Sequence, residues 1–223
     1  MTTDLFAPAD STAVVEGAPR IPTALFRFAG VALAAFPLLF ASGMLASPPQ
    51  TEDGEAGYIA SLAADPGLSL LSANLLHYSW VALALGVVGL IGLVASRRGR
   101  AWVAIASVAV AVGAVQMSGL LLSDWFLVSA GNTLTLDQAL AMNANAQETT
   151  AMIWGMSAQL LTLVGLPVLT LGLARARVVS WWIAPLPLLA FIVPMFNLGA
   201  VAAIAFLPLM APVFVAALKL IRA

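Results

Sequence analysis

Six long apolar stretches, separated by short polar interruptions, organise this chain of 223 residues. They run roughly over 24–46, 68–95, 101–130, 147–174, 178–196 and 200–218. A bilayer core of about 30 Å needs about 20 helical residues to cross it, and all six stretches reach that length. The pattern predicts an all-α, polytopic membrane protein with six transmembrane helices. Composition agrees: 62% of residues are hydrophobic and only 9% charged, with a mean hydropathy of +1.02. A soluble domain carries about 25% charged residues.

The interruptions carry structure of their own. Residues 55–64 lie between Gly54 and Asp65-Pro66-Gly67 and predict a short surface helix whose Tyr58, Ile59 and Leu62 dip into the interface. Residues 135–142 predict a second, opened by Thr135 and Gln138 at capping-box spacing. Asn145 and Glu148 repeat that spacing at the start of the fourth span. Pro185, Pro187, Pro194, Pro208 and Pro212 predict bends in the last two spans, joined by Asn197-Leu198-Gly199. Gly86, Gly89 and Gly92 in the second span, and Ala109 with Gly113 in the third, let backbones approach closely.

Charge orients these spans. All nine bases fall in alternate interruptions or at and beyond the chain-terminal ends of the first and last spans: Arg20, Arg27, Arg97, Arg98, Arg100, Arg175, Arg177, Lys219 and Arg222. The intervening loops hold acids without a base, namely Glu52, Asp53, Glu55 and Asp65, then Asp137 and Glu148. The positive-inside rule then places both termini in the cytoplasm, and the chain is expected in the plasma membrane. Residues 1–20 read as a disordered cytoplasmic tail and 21–223 as the transmembrane domain. Trp102, Trp181 and Trp182 fit the inner aromatic belt and Trp125 the outer one. Trp80 and Trp154 fall deeper.

An ionisable or polar side chain inside a span is a candidate for function. Asn74 and His77 lie one turn apart on the second span, Gln116 and Asp124 two turns apart on the third. Glu148, Met152, Gly155 and Gln159 form a stripe down the fourth. All fall in the middle or outer half. Each has a structural reading beside a functional one. His77 is a proton carrier or ligand contact, or an imidazole tied to Asp124 or to a carbonyl. Asp124 is a desolvated acid, or a carboxylate reaching the interface beside Trp125. Glu148 is an acid or a helix cap. Gln116 and Gln159 are ligand contacts or interhelical glue. Tyr78, Trp80, Trp125 and Trp154 are cavity walls or ordinary core.

Absences narrow the chemistry. The chain has no cysteine and one histidine, which leaves no thiolate nucleophile and a poor metal site. It has no phosphate-binding loop, no lysine inside a span and no segment basic enough for nucleic acid. No cofactor is expected.

Gly57-Tyr-Ile-Ala-Ser-Leu-Ala-Ala-Asp-Pro-Gly67, Arg97-Arg98-Gly99-Arg100, Ser123-Asp124 and Leu173-Ala-Arg-Ala-Arg-Val-Val179 together resemble a group of six-helix membrane proteins common in high-GC actinobacteria. That group is close to a family named only as a domain of unknown function. The resemblance spans roughly residues 57–182 and implies a bundle and a topology, without a reaction. A fainter likeness is to membrane-embedded terpene cyclases of meroterpenoid pathways. It implies a metal-free acid, Asp124 or Glu148, with Trp80, Trp125 and Trp154 steadying a carbocation.

The leading expectation is a protein that binds a membrane lipid or prenylated small molecule in an outer-half pocket between the second, third and fourth spans. Asn74, His77, Asp124 and Glu148 would supply polar contacts, within a homo-oligomer or larger membrane complex. The alternatives are a metal-independent cyclase or isomerase using Asp124, Glu148 or His77, and a small proton-coupled transporter.

Overall fold

A computed structural model describes residues 22–95, 97–148, 152–193 and 199–223. Every regular element among them is a helix: α1 (Thr23–Ala46), α2 (Gly54–Ala64), α3 (Pro66–Leu93), α4 (Arg100–Leu120), α5 (Leu122–Thr133), α6 (Leu136–Ala146), α7 (Met152–Leu163), α8 (Gly165–Arg175), α9 (Leu186–Ile192), α10 (Ala200–Leu209) and α11 (Ala211–Ile221). The expected tail over 1–20, Pro194, Asn197 and Leu198 lie outside the described residues.

Among the described residues, four helices are long and apolar enough to cross a membrane: α1, α3, the continuous α4–α5 unit Arg100–Thr133, and the α7–α8 unit Met152–Arg175. A fifth is added if α10 and α11, bent by 50°, form one span. The chain is thus an all-helical membrane protein. The bend has a local cause, because Pro212 has no N–H to give the carbonyl of Pro208, one turn earlier. The stretch expected as a fifth span holds, among the described residues, only the seven-residue α9 preceded by turns.

Helix starts follow their chemistry. Asp65 Oδ1 accepts from the Leu68 N–H at 3.0 Å, with Pro66 in the first turn of α3. Thr135 and Gln138 close the capping box of α6, at 3.1 and 3.4 Å. The box expected at Asn145 and Glu148 is not there. Asn145 lies inside α6, where a helical backbone cannot cap, and Glu148 is exposed just past its end. Nothing between Leu136 and Ala146 breaks the helix, so it runs on one turn beyond the expected stop.

Small residues set the packing. A Cβ on Gly86 of α3 would sit 2.7 Å from the Leu33 Cα of α1, and one on Gly113 of α4 would sit 2.7 Å from the Leu161 Cβ of α7. These backbones touch, and van der Waals contact replaces the hydrophobic drive that lipid removes. Ser72 Oγ donates to the Gly43 carbonyl at 2.8 Å and pins α3 to α1. The main core gathers Leu33, Phe36, Leu83, Val110, Leu169 and Phe206, each at most 1% exposed.

The two ends of the bundle differ in charge. At one end α2 and α6 cap α5, with Ile59 and Leu62 packed on Leu127, Val128 and Ala139. Asn143 of α6 donates to the Glu55 carboxylate of α2. This end carries the acids. At the other end Arg97, Arg98, Arg175 and Arg177 surround one hollow, and Arg97 Nη1 donates to the Ala176 carbonyl at 3.3 Å. Gly99, at φ 87°, turns the chain there against the Gly172 carbonyl.

Candidate functional site

An aromatic cluster forms where α1, α3, α9 and α10 meet. Phe36 and Phe40 lie one turn apart on α1 and face Trp80 of α3, Phe191 of α9 and Phe206 of α10. The Phe40 and Phe206 rings stack at 4.4 Å, and Trp80 meets Phe40 edge-on at 5.5 Å. Trp80 and Phe191 are stacked at 6.4 Å. Beside these rings lies a cavity of about 260 Å³. Phe40, Trp80 and Phe191 wall one side of it, and Met117, Gln159 and Thr162 the other. The Thr162 hydroxyl donates back to Ala158 of its own helix at 2.8 Å. The surface turned toward the cavity is almost wholly apolar, and Gln159 is exposed.

A second hollow, of about 370 Å³, opens at the acidic end. Its polar lining is Ser47, Gln50, Tyr58 and Ser61, and it shares Met44 and Leu76 with the aromatic cavity. The Tyr58 hydroxyl donates to Asp124 Oδ1 at 2.8 Å, across 66 residues of sequence. Asp124 is 9% exposed, whereas Tyr58 keeps 36% of its surface open. Burial of the hydroxyl end pushes the Tyr58 phenol above the usual tyrosine range, and the Asp124 carboxylate pushes it the same way.

No family model matches the chain, and neither a curated protein nor a solved structure matches it. The site therefore rests on its own geometry.

That geometry brings together some of the residues singled out from sequence. Trp80 and Gln159 line the aromatic cavity. His77 lies on the same helix, and its Nδ1–H donates to the Ser118 carbonyl of α4 at 3.0 Å, the carbonyl alternative for this imidazole. Gln116 accepts from the Ser157 hydroxyl of α7 at 3.2 Å and so joins α4 to α7. Asn74 donates to Leu70 within its own helix. Tyr78 is 59% exposed, edge-on to His77. Trp154 packs over Gly119, where a Cβ would meet its ring at 2.5 Å. Trp125 and Trp154 are each 39% exposed, and Glu148 is exposed. Asp124 faces Tyr58 rather than the rings.

Sequence reasoning missed Phe40 and Phe191 as walls and Tyr58 as the partner of Asp124. The i, i+4 spacing of Phe36 and Phe40 was a signal, and it puts both rings on one face of α1. It does not set that face apart from any other apolar face of a membrane helix.

Proposed function

We propose that this protein binds an apolar small molecule or lipid chain in the half-open aromatic cavity lined by α1, α3, α4, α7 and α9. The supporting observation is an almost wholly apolar cavity of about 260 Å³ walled by Phe40, Trp80 and Phe191. Ligand sites of this kind are concave, mostly apolar and carry few orienting polar groups. In this reading the chain makes six passes, α9 belongs to the fifth, and both termini are cytoplasmic in the plasma membrane. The acidic end then faces outward, which puts the cavity in the outer half. Work within a larger membrane assembly is compatible with the reading.

The cyclase alternative asks for an acid against the rings. Asp124 is instead engaged by Tyr58 and Glu148 is exposed, so binding is the better supported function.

Native mass spectrometry of the protein released from lipid nanodiscs tests this reading, with wild type compared to Leu163→Trp and Leu121→Phe. Both positions line the cavity, and the larger rings fill it. A discrete bound mass retained by wild type and lost by both variants is the expected result. Equal retention in all three places the ligand elsewhere.

A further inference from the structure

The hollow at the acidic end is built to receive hydrogen bonds rather than to give them. Tyr58 donates its proton to Asp124. Ser61 Oγ donates to the Tyr58 carbonyl at 2.8 Å. Gln50 Nε2 donates to both the Glu52 and Gly54 carbonyls, at 2.7 and 3.0 Å. Three of the four polar side chains lining the cleft have thus committed their donors inside the protein. With those donors committed, the Tyr58, Ser61 and Gln50 side chains can act toward a ligand only as acceptors. A hydroxyl that already donates to a carboxylate is also the better acceptor, because hydrogen bonds in a chain polarise one another. Ser47 is the fourth, and its hydroxyl has no partner among the described residues and can turn either way.

Charge points in the same direction. Glu52, Asp53 and Glu55 stand exposed on the adjoining loop and helix, and Asp124 lies behind Tyr58. No lysine or arginine occurs between Phe28 and Ser96, or between Ala101 and Ala174. A phosphate, sulfate or carboxylate group would find no cation among the side chains lining the cleft and only the Ser47 hydroxyl as an uncommitted side-chain donor, with acids nearby. A group carrying N–H or O–H would be matched.

The cleft and the aromatic cavity meet at two side chains. Met44 and Leu76 line both, and each is half-buried. Met44 is an unbranched thioether that repacks easily, so a modest rotation joins the two spaces. At about 30 Å³ per water-sized group the inner cavity holds about nine non-hydrogen atoms.

We propose that cleft and cavity form one site for an amphiphile with a hydrogen-bond-donating head, a primary amine or an alcohol, and an apolar tail of about nine heavy atoms. The head lies against Tyr58, Ser61 and Gln50, and the tail passes Met44 and Leu76 to reach Phe40, Trp80 and Phe191. This rests on the binding function proposed above and adds the class of ligand.

The test uses the full chain in phosphatidylcholine nanodiscs with four photoreactive decyl probes. They carry a diazirine at the tail and an amine, an alcohol, a methyl ketone or a sulfonate at the head. Crosslinks are mapped by peptide mass spectrometry. The amine and alcohol probes are expected to label Met117, Leu163 and Met44 several-fold more strongly than the ketone and sulfonate. Their relative yield tells which donor is preferred. Gln50→Leu, on an exposed loop, is expected to narrow that preference. Equal labelling by all four heads overturns the donor-head inference and leaves the cavity reading standing. Labelling of the cavity by none of them overturns both.

Discussion

At the scale of single residues, the Tyr58–Asp124 pair is the most informative contact. It joins α2 to the first turn of α5 and closes the acidic end over the bundle. Tyr58→Phe keeps the ring and removes the donor, leaving a nearly buried carboxylate short of a partner. A hydrogen bond to a charged group contributes about 1.5 kcal/mol or more, so a loss of about that size is expected in thermal unfolding in detergent. The phenol also sets a pH dependence. Its folded pKa is raised above the ordinary 10.0, so its contribution is complete below pH 10.0 and is lost as pH rises beyond it, where an unfolded phenol ionises and the folded one does not. The tyrosinate absorbance of wild type and Tyr58→Phe should therefore coincide up to about pH 11, one unit above the ordinary value. Earlier divergence would mean that the hydroxyl is not buried against Asp124. Ser107 offers the opposite case. It is fully buried on α4 and its hydroxyl has no partner among the described residues. An unsatisfied buried hydroxyl costs about 1–3 kcal/mol, so Ser107→Ala is expected to raise the melting temperature. Asp124 stood out in the sequence because an acid in an apolar helix is rare. Tyr58 did not, since nothing local tells which of two tyrosines finds a carboxylate 66 residues away.

At the scale of elements, glycine placement separates contact from open space. A Cβ on Gly86 would press on the Leu33 backbone at 2.7 Å, whereas one on Gly155 would meet nothing closer than Leu120 at 3.8 Å. Alanine favours a helix over glycine by up to about 1 kcal/mol. Gly155→Ala should then stabilise by up to that amount, and Gly86→Ala should destabilise because α1 and α3 must move apart. The same sign for both, in unfolding titrations, would contradict the close packing of α1 on α3. The apolar lengths of α1 and α3, the surface helix α2 and the capping box of α6 were legible from period and cap chemistry. The continuation of α6 past Asn145 was not, because a capping sequence gives no signal of whether the preceding helix has ended. The apolar run over 178–196 suggested a full span, and among the described residues it holds only α9, which starts beside Pro185 and Pro187.

At the scale of the molecule, charge asymmetry and cavity placement support one account. Acids gather with α2 and α6, arginines gather at the far end, and the aromatic cavity shares two side chains with the hollow at the acidic end. Single cysteines in this cysteine-free chain test its orientation. Asp53→Cys and Asp137→Cys should react with an impermeant maleimide added outside intact cells, and Arg98→Cys only after permeabilisation. Composition made the membrane class plain, and alternation of bases and acids suggested the topology. The cavity itself was out of reach, because it is formed by rings from three helices far apart in the sequence, whose meeting no local pattern signals. The most direct measurement is a crystal structure from a lipidic mesophase, using protein taken from its own membrane without delipidation. The account expects non-protein density between Phe40, Trp80 and Phe191, running past Met44 and Leu76 toward Tyr58. Side chains closing that space with no room for a ligand would contradict it.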